Sequence, residues 1–178
     1  VGFIYNRPSK WHQIVIPYLA IGLARGEKCL YLTALRSRNQ ICALLKNHGV
    51  EVNTALESGS LVFSSWRQFY LTDGIFNPNR AVKRVQEATR QALAQGFNTL
   101  RITAEMTWAS FRIPGSERLA EYERLLNQKV FSQQPCLALC QFEQVLFSPE
   151  ALEGIASSHP VLIHDEALHP PRITLTVA

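Results

Sequence analysis

Short, continuously apolar runs alternate with helix-length segments along almost the whole chain. The runs are about Gly2 to Tyr5, Lys28 to Leu32, Ser60 to Phe63, Thr99 to Ala104, Cys136 to Phe142 and Val161 to His164. A strand apolar at every position is buried on both faces, which requires a parallel sheet with helices above and below. The spacing between runs supplies those helices: about Ser9 to Arg25, a segment capped near Ser37 and ending at His48-Gly49, Pro78 to Gln95, Ser116 to Val130, and Ser148 to Ser157. Asn53 to Ser58 reads as a further short helix, and Ser64 to Pro78 as an irregular stretch. Pro17 predicts a kink in the first helix or a late start. The pattern predicts an α/β protein, a three-layer αβα sandwich around a mostly parallel six-stranded sheet.

Such a sheet commonly holds a phosphate at the first strand–helix junction. A phosphate loop needs G-x-x-x-x-G-K-[ST], so that bare backbone N–H groups can wrap the anion. Here the junction reads Asn6-Arg7-Pro8-Ser9-Lys10-Trp11-His12-Gln13, with no glycine between Gly2 and Gly22. Proline removes one donor. Lys10 and Arg36 are the cations that a residual nucleotide site would use. The junction offers an aromatic and an imidazole instead, which suits sensing a small molecule better than splitting ATP.

At 178 residues and 47% hydrophobic content, the chain is expected to form one domain over 1–168, with 169–178 a tail or linker. It starts at Val and ends in a Pro-rich segment, as an excised module of a longer protein would. Charged residues are 18% of the chain, low for a fully solvated surface, so a partner protein or a second copy is expected to meet it. The net charge of +4 comes without any block of like charge, and the basic residues Arg80, Lys83, Arg84 and Arg90 read as a solvated helix face, so no direct nucleic-acid contact is expected. No apolar run spans a bilayer and no signal peptide is visible, so a cytoplasmic location without membrane contact is expected. Cys29, Cys42, Cys136 and Cys140 read as reduced thiols, and the histidines show no metal-ligand spacing with them or with one another. No metal, cofactor or catalytic set is expected.

In open parallel sheets, ligands sit outside the carboxyl ends of the strands. That rule selects Tyr5, Trp11 and His12 after the first strand, Thr33 after the second, Tyr70 after the third, Glu105 and Trp108 after the fourth, and Gln141 at the fifth. The set is rich in aromatics with few polar groups, a lining for a mostly apolar ligand oriented by one or two hydrogen bonds. Glu105 reads as a ligand-orienting or network carboxylate, or one tied to Arg101, Arg112 or a backbone N–H. Trp108 reads as a pocket wall or a cap over the core. Tyr122, Glu123 and Asn127 lie on one helix. Glu123 and Asn127, four apart, are expected to bond the loop after the fourth strand and fix Trp108.

Ordered fragments then carry a resemblance: Phe3-x-Tyr5, Gly26-Glu27-x-Cys29-Leu30-Tyr31, Asp73-Gly74-x-Phe76-x-Pro78, Leu100-Arg101-x-Thr103-x-Glu105-Met106-x-Trp108, Tyr122-Glu123-x-x-Leu126-Asn127 and Ala138-Leu139-Cys140-Gln141-Phe142. Together they resemble the MEDS domain, a sensory module of methanogen and methylotroph regulators. The resemblance implies a degenerate RecA- or KaiC-like fold without a phosphate loop. It also implies a non-catalytic input domain for small hydrocarbon-like molecules, joined to an output signalling module. A protein-interaction module with a vestigial site is the alternative.

Overall fold

The computed structural model describes residues 1–164 and 167–169, so the expected tail lies outside the described residues except for His169. Strands β1 (Gly2–Tyr5), β2 (Lys28–Thr33), β3 (Leu61–Ser65), β6 (Leu100–Glu105), β7 (Cys136–Glu143) and β8 (Leu162–His164) form a parallel sheet. β9 (Ala167–His169) adds to its edge as a seventh, antiparallel strand, and the order is β3-β2-β6-β7-β1-β8-β9. From β1 the chain steps one way along the sheet through β2 to β3, then the other way through β6 and β7 to β8. Single-handed crossovers put the connecting helices of these two runs on opposite faces.

The packing follows that division. α1 (Pro8–Ala24), α2 (Arg38–Asn47) and α3 (Val52–Glu57) cover one face through Trp11, Val15, Leu19, Ile41, Leu45 and Val52. α5 (Pro78–Ala94), α6 (Leu119–Leu126) and α7 (Pro149–Ser158) cover the other through Val82, Val85, Tyr122, Leu126 and Ile155. Side chains alternate between faces along each strand. Phe3 and Tyr5 go to the α1 side and Ile4 to the α5 side; Cys29 and Tyr31 oppose Leu30 and Leu32 in the same way.

β6 departs from the apolar rule. Leu100, Ile102 and Ala104 enter the α5-side core, whereas the intervening Arg101, Thr103 and Glu105 are polar and buried. Each has a partner. Arg101 Nε donates to Glu27 Oε2 at 2.5 Å, and its guanidinium lies over the Tyr18 ring at 4.5 Å. α1 approaches this pair through Gly22, where a Cβ would stand 2.5 Å from Arg101 Cδ and 2.8 Å from Cys29 Sγ.

Three elements differ from expectation. α1 does not start late: it begins at Pro8 and stays helical through Pro17. The bond lost belongs to the carbonyl of Gln13, on an exposed stretch of helix where water can replace it. The stretch read as irregular contains α4 (Trp66–Tyr70) and a two-stranded hairpin, β4 (Leu71–Thr72) and β5 (Ile75–Phe76). Asp73 (φ 52°) and Gly74 (φ 76°) form its two-residue turn, the pairing that a tight hairpin demands. Arg84 fastens this unit from α5, donating to the carbonyls of Gln68, Phe69 and Leu71 and to Thr72 Oγ1. Finally, the helix expected over Ser116 to Val130 is three pieces: a 3-10 turn (Ser116–Arg118), α6, and a π-helical segment (Asn127–Phe131).

Candidate functional site

The reversal of chain direction leaves a crevice at the carboxyl edge, where the loops after β1 and β2 diverge from those after β6 and β7. Such a crevice binds ligands in related architectures. Here the protein's own side chains fill it. Glu105, fully buried at the end of β6, accepts N–H bonds on Oε2 from Ala34 (3.0 Å), Leu35 (2.5 Å) and Arg36 (3.1 Å). Its Oε1 accepts the Tyr31 hydroxyl at 2.7 Å and lies 3.9 Å from the Arg36 guanidinium. Three consecutive backbone N–H groups make an anion-binding nest, and an internal carboxylate occupies it.

A second chain of bonds runs beside the first. Trp11 Nε1 donates to Gln141 Oε1 at 2.5 Å, Gln141 Nε2 donates to Thr103 Oγ1 at 2.7 Å, and Thr103 Oγ1 donates to the Leu139 carbonyl at 3.1 Å. Arg36 joins the two networks. It donates to the Tyr5 hydroxyl at 3.1 Å and lies over the Trp11 ring at 4.0 Å. Burial, the main cause, pushes the Tyr5 phenol up to about 12, partly offset by Arg36. Tyr5, Trp11, Glu105 and Gln141 are thus brought together and buried. Thr33 is half-buried nearby, its hydroxyl donating to the Ser64 carbonyl at 3.4 Å. His12 is exposed on α1.

The other aromatic candidates, Tyr70, Trp108 and Tyr122, gather elsewhere, on the α5 side of the sheet. Trp108 is fully buried in a 3-10 segment, Met106–Phe111. It stacks on Trp66 at 5.7 Å and meets Tyr70 and Phe76 at 4.9 Å each. Tyr122 closes the cluster edge-on to Tyr70 and Phe76 at 5.7 Å. Burial holds the Tyr70 and Tyr122 phenols well above their usual range. The segment around Trp108 is not fully satisfied. Thr107 Oγ1 and Trp108 Nε1 are buried without hydrogen-bond partners, and Arg112 takes a left-handed conformation (φ 52°).

Glu123 and Asn127 do not bond the loop after β6. Asn127 Nδ2 donates to the Ser158 carbonyl at 2.9 Å, and Glu123 Oε2 lies 3.3 Å from His159 Nε2. The face they share is turned to the end of α7, because Tyr122 takes up the contact with the Trp108 cluster. Cys140 Sγ approaches the same Glu123 oxygen at 3.6 Å. Sequence spacing had linked none of Glu123, Cys140 and His159; the packing of α6, β7 and α7 joins them.

An open cleft of about 560 Å³ lies beside these clusters. Ala109, Ile113, Pro114, Leu119, Phe147 and Ile155 supply its apolar lining, with Arg112, Glu117 and Glu150 among its polar members. Nothing in the strand-end rule pointed to it, because its walls come from α6, α7 and the segment after Trp108.

The fold is shared with proteins of known structure. They include a KaiC-like protein, PH0186, from Pyrococcus horikoshii OT3 (TM-score 0.61, 11% identity, 92% of this chain and 68% of that one). Another P. horikoshii protein, PH0321, solved with an unknown peptide, aligns with a TM-score of 0.66 at 15% identity (92% and 76%). The flagellar accessory protein FlaH of Methanocaldococcus jannaschii gives 0.60 at 12% identity (92% and 69%). In sequence, the chain is 24% identical over 156 residues to the transcriptional repressor DcmR of Methylorubrum extorquens (strain DSM 6343 / CIP 106787 / DM4). That match takes in 88% of this chain but only 56% of the relative, so the chain spans about half the length of the curated protein it resembles. The model of the methanogen/methylotroph, DcmR sensory domain matches residues 1–160, and the chain belongs to this family, MEDS, of sensory domains.

Proposed function

We propose that the domain is a non-catalytic signal-input module that binds a small, mostly apolar molecule and passes the signal to an attached or partner regulatory module. The observation that carries this reading is the cleft between α6, α7 and the segment after Trp108. Its volume of about 560 Å³ suits a small organic molecule, and its apolar lining with a few polar groups suits one oriented by one or two hydrogen bonds. The expected ligand contacts are Ile113, Leu119, Phe147 and Ile155. Trp108, Tyr70 and Tyr122 respond from behind them, and Tyr5, Trp11, Glu105 and Gln141 form the frame.

The mechanism is a population shift. Residues 106–118 carry the wall of the cleft, two unsatisfied buried groups and the left-handed Arg112. Such a segment is poised between alternatives, and a ligand biases them only through different affinity for each. Glu105 immediately precedes it and grips residues 34–36, which lead into the Ser37 cap of α2. Movement at the cleft thereby reaches the opposite face of the sheet. By analogy with the repressor relative, the output is control of transcription in the cytoplasm, with DNA contacted by another part of the protein. Nucleotide binding is disfavoured because the N–H nest is already filled by Glu105.

The test uses Gly154, where an added side chain meets open space on the cleft wall. Gly154→Leu should project into the cleft and narrow it and, by replacing a helical glycine, raise stability by about 1 kcal/mol. A thermal titration is run with short halogenated and methylated compounds, small aromatics and Mg-ATP. One apolar class should raise the wild-type midpoint with concentration and leave Gly154→Leu unmoved. Equal responses in both proteins, or stabilisation by Mg-ATP alone, would overturn the reading.

A further inference from the structure

Glu123, Cys140 and His159 bring a carboxylate oxygen, a thiol sulfur and an imidazole nitrogen within 4.8 Å of one another, all buried. The three come from α6, β7 and the residue that ends α7. His159 Nδ1 lies 2.8 Å from the Ile155 carbonyl, which only accepts. Nδ1 therefore carries a proton, and in the neutral ring Nε2 presents a lone pair. That lone pair faces Glu123 Oε2 at 3.3 Å, an acceptor facing an acceptor, with no hydrogen bond between them. Glu123 Oε1 is likewise buried and unpartnered. Two acceptors held this close call for a cation between them, either a proton on Nε2 or a metal ion, and the Cys140 sulfur 3.6 Å from the same carboxylate oxygen supplies the further ligand that a metal would use.

We propose that Glu123, Cys140 and His159 form a binding site for a divalent metal ion of the zinc type. Zinc bonds of about 2.0 Å to nitrogen and oxygen and 2.3 Å to sulfur, at tetrahedral angles, set ligands about 3.3 Å (N to O) and 3.5 Å (S to O) apart. The observed separations are 3.3 Å and 3.6 Å. The imidazole is oriented as metal-bound rings are, its far nitrogen donating to a backbone carbonyl. Its position is fixed further by Phe142, edge-on at 5.6 Å, and by Gly2, where a Cβ would stand 2.8 Å from the ring. Three protein ligands leave a fourth position for water or an exchangeable donor, the pattern of reactive rather than purely structural zinc. The cleft offers the approach. Leu119 and Ile155, its buried lining residues, each lie one helical turn before a ligand, Glu123 and His159.

Metal is measured directly in the full chain, stripped with chelator and reloaded with Zn²⁺ or Co²⁺. One equivalent per chain is expected, with a thiolate-to-cobalt charge-transfer band in the near ultraviolet and a thermal midpoint that rises with Zn²⁺. Cys140→Ala should abolish the band and His159→Gln should weaken binding at least tenfold, whereas Cys42→Ala should keep both. Circular dichroism of the metal-free variants separates lost binding from lost folding. Less than a tenth of an equivalent in the folded wild type, or an undiminished band in Cys140→Ala, would overturn the assignment. Neither result depends on whether the cleft binds an organic ligand.

Discussion

Glu105 is the residue on which the carboxyl edge of the sheet depends. One side chain satisfies three backbone N–H groups and a tyrosine hydroxyl, all in a loop and strand that lie about seventy residues earlier. Charge-assisted bonds of this kind are stronger than neutral ones. Glu105→Gln keeps the shape but removes the charge and turns an NH₂ group toward donors. It should lower stability by about 3 kcal/mol, read as a fall in urea midpoint at constant m-value. A loss below about 0.5 kcal/mol would mean that the loop is held by something else. The sequence offered Arg101, Arg112 or a backbone N–H as its tie; the backbone N–H groups of residues 34–36 hold it, the nearby guanidinium is that of Arg36, and Arg101 pairs with Glu27 instead. The partners themselves were not legible, because the loop after β2 has no glycine signature to mark it as a nest.

At the scale of elements, α1 shows how one missing Cβ sets a helix on a sheet. Gly22 leaves room for the buried Arg101–Glu27 pair, with Arg101 only 5% exposed. By helix propensity alone, Gly22→Ala would stabilise by up to about 1 kcal/mol. The added methyl would instead displace a paired buried guanidinium. Breaking such a pair costs about 3 kcal/mol or more, so Gly22→Ala should lower the urea midpoint while Gly154→Ala, with open space beside it, leaves it unchanged or raises it. A stabilised Gly22→Ala would show that α1 can shift without cost. Most elements were legible because their signals are local: Asn77 and Ser37 cap their helices, and continuous apolar runs mark the parallel strands. The β4–β5 hairpin was missed although Asp73-Gly74 is a strong turn signal, since its strands are too short to show alternation. The break in α6 has no local signal. Glu123, Cys140 and His159 meet only through tertiary packing, which spacing along the chain cannot reveal.

At the scale of the whole molecule, the two faces of the sheet bury cysteine thiols in their neutral form. Burial pushes Cys29 up to about 12 and Cys136 up to about 11, from a usual 9.0. Between the unfolded and folded values, the unfolded chain has released protons that the folded chain still holds. Stability is therefore full below about pH 9 and falls as pH rises toward the folded values. At about pH 10 each thiol should have removed about 1 kcal/mol. Urea midpoints across that range, compared with a Cys29→Ala/Cys136→Ala double variant, check this. The variant should show a shallower decline, and identical slopes would assign the loss to other groups. The nest beneath residues 34–36 has a different consequence for the whole molecule. A pocket that carries its own anion has no use for one from outside. On the proposed sensing reading, a receiver built this way would answer to its stimulus alone, with a threshold that stays the same in a starved cell and a well-fed one.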